Sequence, residues 1–357
     1  MKLQRQSGQF YVSLFRKHYI RMKLFFSVTR SVIIGLSLSL LSSCAELEKN
    51  LTGKSPQLSP RVYVANESSN SVTVIDALTF RVIATVDTKN FSTHDLALSR
   101  DGTRLFATNI ASGRLSVIDT KALETIASIY TGSRCHVVAL TNDNQFAWVA
   151  NIGDDSISIV DTDDYRIVGT IAVGKGPTGL TFSRDGSFAY VSNQGDKTVA
   201  VVDTASYRVI KTIPVGSNPH FLTLGPDGRI WGANSGGNDI YVIDPATQTK
   251  VATFEVGPNP QQIAFAYKGM VGPNAYVTVS GANHVAVVSI NNTRMQVVER
   301  IPVGDKPNGI LANTEGTRIY VGNEGSSDLH VIDTGTNTLI ATTLVGRKPI
   351  RVVMSRN

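Results

Sequence analysis

Disulfide chemistry is nearly absent from this chain: its 357 residues include two cysteines, Cys44 and Cys135, which excludes the bridge-stapled class of small exported folds. Helical periodicity is missing as well. Beyond the first 43 residues, no stretch of about ten residues repeats its apolar positions at helical intervals, so the body of the chain reads as all-β. Several catalytic signatures are also missing. There is no G-x-S-x-G elbow, no P-loop, no H-E-x-x-H and no C-x-x-C-H for covalent haem.

Acid is lacking from residues 1–43, which carry Lys2, Arg5, Arg16, Lys17, Arg21, Lys23 and Arg30. The formal charge of +6 therefore belongs to the leader. It holds seven of the 34 basic residues, and the remaining 27 face 28 acidic ones, a net of −1. Nucleic acid is thereby disfavoured as a partner, although a local basic rim could restore it. From Met22, which reads as the true start, Lys23 and Arg30 precede an apolar run from Val32 to Leu41. About ten apolar residues are too few to span a bilayer and fit the core of a signal peptide.

The run ends at Leu41-Ser42-Ser43-Cys44, which resembles the lipobox of bacterial lipoproteins. That resemblance implies acylation of Cys44, cleavage before it, and stable membrane anchoring through several acyl chains. Ala45 after the cysteine is compatible, by analogy with enteric bacteria, with transport to the outer membrane, on its periplasmic or surface side. The expected division is a signal peptide over 1–43, a lipidated flexible tether over 44–60 and the folded body over 61–357. Acylation of Cys44 leaves Cys135 as a lone thiol, so the exported fold is held by its core.

A segment built as Tyr-Val-Ala-Asn followed by Val-Ile-Asp recurs seven times at intervals of 41 to 45 residues. Its Asn slot holds Asn66, Asn109, Asn151, Asn193, Asn234, Val279 and Asn323; its acidic slot holds Asp76, Asp119, Asp161, Asp203, Asp244, Ser289 and Asp333. This period is that of four-stranded propeller blades. One copy reads as strands over 179–183, 188–193, 198–203 and 207–215, separated by Gly, Pro and Asn turns. The sequence therefore predicts an all-β, seven-bladed β-propeller. The first copy lacks its leading strand and Pro349 to Ser355 matches that strand, so the C-terminal strand is expected to complete the N-terminal blade.

With Tyr63-Val64-Ala65-Asn66, Tyr190-Val191-Ser192-Asn193 and the Val-Ile-Asp runs near 117–120, 242–244 and 331–334, the chain resembles the YVTN-repeat, YncE-like β-propeller family over about residues 61 to 357. The resemblance implies the fold. Function stays open, because such propellers include surface-layer and adhesive proteins, periplasmic proteins, and relatives among lactonases and haem d1 domains. The Asn and Asp columns are expected to bond their own following turns. In the sixth copy Val279, Ser289 and the insertion Tyr267 to Asn274 imply turns built differently.

One column departs from the repeat in a chemically useful way. The column just after the Pro slot, read as the first residue of the seven inner strands, holds His94, His136, Thr178, His220, Gln261, Asn308 and Ile350, so three imidazoles are expected to converge on one mouth of the channel. Imidazole can ligate a divalent metal or act as a base near neutral pH. Asp95 and Cys135 could complete such a site, while Arg351 and Arg134 could pair with an anionic ligand. The bland reading is that these side chains line a wet channel and bond loop carbonyls. Asp154-Asp155 and Asp163-Asp164 fall in turns and offer a weaker calcium alternative.

Two functions remain in competition. The first is a monomeric, membrane-anchored binding or scaffold protein without a cofactor, holding a protein, polymer or small ligand at the histidine mouth, with His94, His136, His220, Asp95 and Arg351 as contacts. The second is a lactonase-like or metal-dependent enzyme using His94, His136 and His220.

Overall fold

The computed structural model describes residues 59–268, 271–290 and 295–355; the leader, Cys44 and the tether as far as residue 58 lie outside them. Seven antiparallel four-stranded sheets form the blades of a propeller. Blade 4 shows the pattern: an inner strand Pro177–Phe182, then Phe188–Asn193, Thr198–Asp203 and an outer strand Arg208–Pro214. Val, Ile, Tyr and Thr dominate these segments, and their branched or aromatic side chains pack well on a pleated surface. The described residues contain only three short 3-10 turns besides strands. No helix among them is long and apolar enough to cross a membrane.

Ring closure follows the expectation from the chain ends. The strand Pro349–Met354 pairs with Arg61–Asn66 as the inner strand of blade 1, in the order inner, 61–66, 71–76 and 82–87. Arg61 N–H also donates to Ser355 Oγ at 2.8 Å, and Ser355 N–H donates back to the Arg61 carbonyl at 2.9 Å. Both edges of Arg61–Asn66 are thereby paired, which removes a template for aggregation.

The core lies between blades. The second strand of each blade contributes one large buried ring, Tyr63, Phe106, Trp148, Tyr190, Trp231, Tyr276 or Tyr320, each at most 2% exposed. Trp148 meets Phe182 of the next blade edge to face at 5.3 Å, and Trp231 meets Phe265 likewise at 5.5 Å. The aromatic of the repeat is therefore what cements one blade to the next, each ring burying on the order of 150–250 Å².

The polar columns divide. The acidic column caps its own turn as expected: Asp76 Oδ1 accepts Leu78 and Thr79 N–H, and Asp119 Oδ1 accepts Lys121 and Ala122 N–H. The Asn column does something else. Asn66 Nδ2 donates to Thr73 Oγ1 at 2.9 Å, Asn151 Nδ2 to Ser158 Oγ at 3.0 Å and Asn323 Nδ2 to Asp328 Oδ1 at 2.7 Å, so these buried amides clamp the second strand to the third. The glycine of the inter-blade loop packs on the amide, and a Cβ on Gly346 would collide with the Asn66 side chain. In blade 6 the first hairpin is lengthened, with strands Pro260–Lys268 and Val271–Val279. Its next turn is not built differently: Ser280–Ala282 is a 3-10 turn ending on left-handed Asn283, like Glu67–Ser69 ending on Asn70 in blade 1.

Two outcomes test this packing. Deleting residues 349–357 should abolish cooperative thermal unfolding followed by circular dichroism, because it strips blade 1 of its inner strand. Trp231→Ala should lower unfolding free energy by about 3–5 kcal/mol in a denaturant titration, without loss of the β-sheet signal.

Candidate functional site

What aims the channel side chains is a bulge at the head of every described inner strand. In blade 3, Cys135 opposes Asn151 and Val137 opposes Ala150, which leaves His136 unpaired between them. In blade 2, Thr93 pairs with Asn109 and Leu96 with Ala107, so His94 and Asp95 both leave the ladder. His220 and Phe221 do the same in blade 5, Gln261 and Gln262 in blade 6, and Ile350 in blade 1. A bulge re-aims side chains off the alternating pattern. Room is made next door, where a Cβ on Gly179 would collide with the His220 carbonyl oxygen.

The three histidines do meet. The rings of His94 and His136 lie 4.0 Å apart and those of His136 and His220 5.3 Å, so His220 reaches past Thr178. Their bonds run to the neighbouring blade's backbone: His136 Nδ1 is 3.0 Å from the Thr178 carbonyl oxygen and His94 Nδ1 is 3.3 Å from that of His136. A carbonyl only accepts, so both rings carry their proton on Nδ1. Thr178 Oγ1 continues the series by donating to the Pro219 carbonyl at 3.0 Å.

Burial sets the charge of the cluster. Desolvation pushes His94 down to about 3, helped by the neighbouring His220, and pushes His220 down to about 4. Desolvation, with His94 and His220 adding to it, holds His136 well below its ordinary value. All three are neutral at physiological pH. Among the described residues no group of three or more His, Cys, Asp or Glu side chains is arranged to hold a metal ion. Cys135 turns away: its Sγ faces the Asn109 and Arg114 carbonyls inside the blade seam, and burial raises its thiol to about 11. The Asp154 and Asp155 carboxylates each accept a loop N–H, from Ser133 at 2.6 Å and Gly176 at 2.8 Å.

Asp95 and Arg351 meet one layer further in. Arg351 Nε lies 3.0 Å from Asp95 Oδ1, though the N–H is not aligned as a hydrogen bond, so the contact is an ion pair by charge and distance. Asp95 Oδ2 accepts the Val138 N–H at 2.9 Å. Burial raises the Asp95 carboxyl while Arg351 pulls it back. Arg351 also donates from Nη1 to Gln262 Oε1 at 3.1 Å and lies 5.0 Å over the Phe221 ring. One arginine thus ties blade 1 to blades 2, 5 and 6 across the channel, instead of waiting for an anion at the histidine mouth. Arg134 stays exposed on the rim.

Below this layer the channel widens into a cavity of about 870 Å³. Its walls are the far halves of the inner strands and their turns, including Leu98, Arg100, Leu140, Asn142, Thr181, Arg184, Thr223, Ala312 and Met354, with Arg351 and Phe221 at its inner end. Of the five expected contacts only Arg351 lines it, and the histidines sit at the opposite end. A signal for this existed in the column one place further on, Asp95, Val137, Gly179, Phe221, Gln262, Gly309 and Arg351, which departs from the repeat as strongly as the histidine column.

Residues 124–229 match the YNCE-like beta-propeller family model. That stretch runs from the outer strand of blade 2 into blade 5 of a ring whose seven blades share one four-stranded pattern. No curated protein matches it by sequence. Among solved structures, the chain is similar to the periplasmic gluconolactonase PpgL of Pseudomonas aeruginosa, with 16% identity and a TM-score of 0.70, over 84% of this chain and 99% of that one. It is similar to the hydrazine synthase of Kuenenia stuttgartiensis at 20% identity and a TM-score of 0.59, over 72% and 88% of the two chains. A dihydro-heme d1 dehydrogenase, NirN, aligns at 16% identity and a TM-score of 0.59, over 82% and 74%. At these identities the likeness is one of fold.

The depressed histidines fix the sign of an acid response. The unfolded rings take up protons below about 6.5 while the folded ones resist until about 4 and about 3. Their contribution to stability is therefore complete above about 6.5 and lost as pH falls through that window, with a limiting slope of about 1.4 kcal/mol per pH unit for each ring. Denaturant titrations between pH 7 and pH 4 should show the fall, and a variant with His94, His136 and His220 all changed to Gln should flatten it. Asp95→Ala, which strands Arg351, should cost about 3–5 kcal/mol. The paired replacement Asp95→Asn with Arg351→Gln should cost less by the same measurement.

Proposed function

We propose that this propeller is a non-catalytic binding protein that holds a small ligand in the channel cavity opposite the histidines. One observation carries the reading. The cavity has the size of small-molecule sites, and its lining contains hydroxyls, amides, arginines and aliphatic side chains but no Asp, Glu, His, Cys, Lys or Tyr. A wall without a titratable base or acid gives recognition without proton transfer. The histidines do not supply the missing base, because they lie beyond the Asp95–Arg351 layer and two have Nδ1 directed at backbone carbonyls. In the same reading the protein is exported and anchored through acylated Cys44, at the outer membrane, and works as a monomer.

The gluconolactonase among the similar folds motivates one competing reading, lactone hydrolysis at the histidine cluster. A ligand screen by thermal shift, repeated on Thr223→Trp to fill the cavity, tests the first. A bound ligand raises the melting temperature by mass action, about 2.7 kcal/mol of stabilisation at a hundred times its dissociation constant, and the filled variant should lose that response. Hydrolysis of a lactone panel that disappears when the three histidines are changed to Gln would overturn binding in favour of catalysis.

A further inference from the structure

The cavity wall carries three guanidinium groups and no carboxylate. Arg351 stands at its inner end, and Arg100 and Arg184 stand where the turns of blades 2 and 4 reach its outer rim. Neither rim arginine takes part in an ion pair among the described residues. Arg184 is oriented by donating from Nη2 to the Pro226 carbonyl at 2.9 Å, while Arg100 donates its backbone N–H to Asn144 Oδ1 and its side chain has no hydrogen-bond partner among the described residues. Arg351 has Nε against Asp95 and Nη1 on Gln262, which leaves Nη2 without a partner among the described residues.

The nearby acids are held in their own turns, and among the described residues none of them pairs with a rim arginine. Asp101 is turned onto Ser99 Oγ and the Thr103 N–H and hydroxyl, Asp143 onto Thr141 Oγ and the Gln145 N–H, and Asp185 onto Ser183 and Ser187. These turn bonds hold all three carboxyls below their ordinary range, so they stay ionised in their own hairpins. Thr181 and Thr223 line the same cavity, and their hydroxyls have no hydrogen-bond partner among the described residues.

We infer that the cavity takes a small organic anion bearing more than one acidic group and hydroxyls. Guanidinium forks bind carboxylate or phosphate oxygens two at a time, and hydrogen bonds in which a partner is ionised are about twice as strong as neutral ones. A multivalent anion can meet more than one of the three guanidinium groups, and its hydroxyls meet Thr181 and Thr223. A neutral ligand would leave the remaining guanidinium donors with water alone. This inference rests on the cavity being a binding site.

Isothermal titration of the purified protein with citrate, a hydroxylated tricarboxylate, and with triethyl citrate, the same skeleton without charge, tests it. Citrate should bind one to one, more weakly as salt rises, and triethyl citrate should not. Changing Arg100 and Arg184 together to Gln should weaken citrate by about tenfold or more. Asp95→Asn with Arg351→Gln should do the same, since this pair leaves no buried charge unpaired. Thr223→Trp should abolish binding, with thermal melts confirming that each variant is folded. Absence of citrate binding, equal binding of the triester, or indifference to the arginine changes would each overturn the anion. A neutral ligand found by the thermal screen and excluded by Thr223→Trp would sink the anion while sustaining the binding site. Lactone turnover lost with the histidines would sink the binding site itself.

Discussion

Everything in this molecule depends on one antiparallel pairing, that of Pro349–Met354 with Arg61–Asn66. A blade alone cannot cover its own apolar faces, and each buried ring finds its partner on the next blade. A row of blades would leave such a face exposed at each end. Closing the row makes every blade an interior one. It also brings the inner-strand heads to a common axis, which is why residues some forty positions apart in sequence meet as side chains.

The sevenfold period made the architecture legible, down to the strand supplied from the far end of the chain. Strands that alternate Val, Tyr and Ile with small residues have one reasonable reading, and turn residues mark their limits. The acidic column was readable for the same reason: an Asp two or three residues before free N–H groups caps them locally. The Asn column was not, because its partners, such as Thr73 for Asn66, sit on the adjacent strand. A local pattern cannot distinguish a turn bond from a clamp across a hairpin.

The site was half legible. Composition of the inner-strand heads singled out His94, His136 and His220, and they do converge. Hidden from sequence was the bulge, which sends His94 and Asp95 out of the ladder together and so sorts the chemistry into layers along the axis. The outcome is a neutral imidazole layer, then a charged pair, then an open space. Desolvation silences the first, mutual neutralisation occupies the second, and the third keeps unpaired donors, with Arg351 of the pair at its inner end. Side-chain identity alone would rank these layers in the opposite order of availability.

Arg351 belongs to the strand that completes blade 1, and the backbone contact beside it joins Arg61 to Ser355 across 294 positions. That strand leaves the ribosome after every other strand of the ring. The inner wall of the cavity therefore comes into being at the same moment as the finished propeller. A chain cut short in translation, or one whose last strand has slipped, has neither a closed ring nor the arginine that bridges four blades. Closure of the ring and the shaping of the cavity's inner wall are in this way the same event.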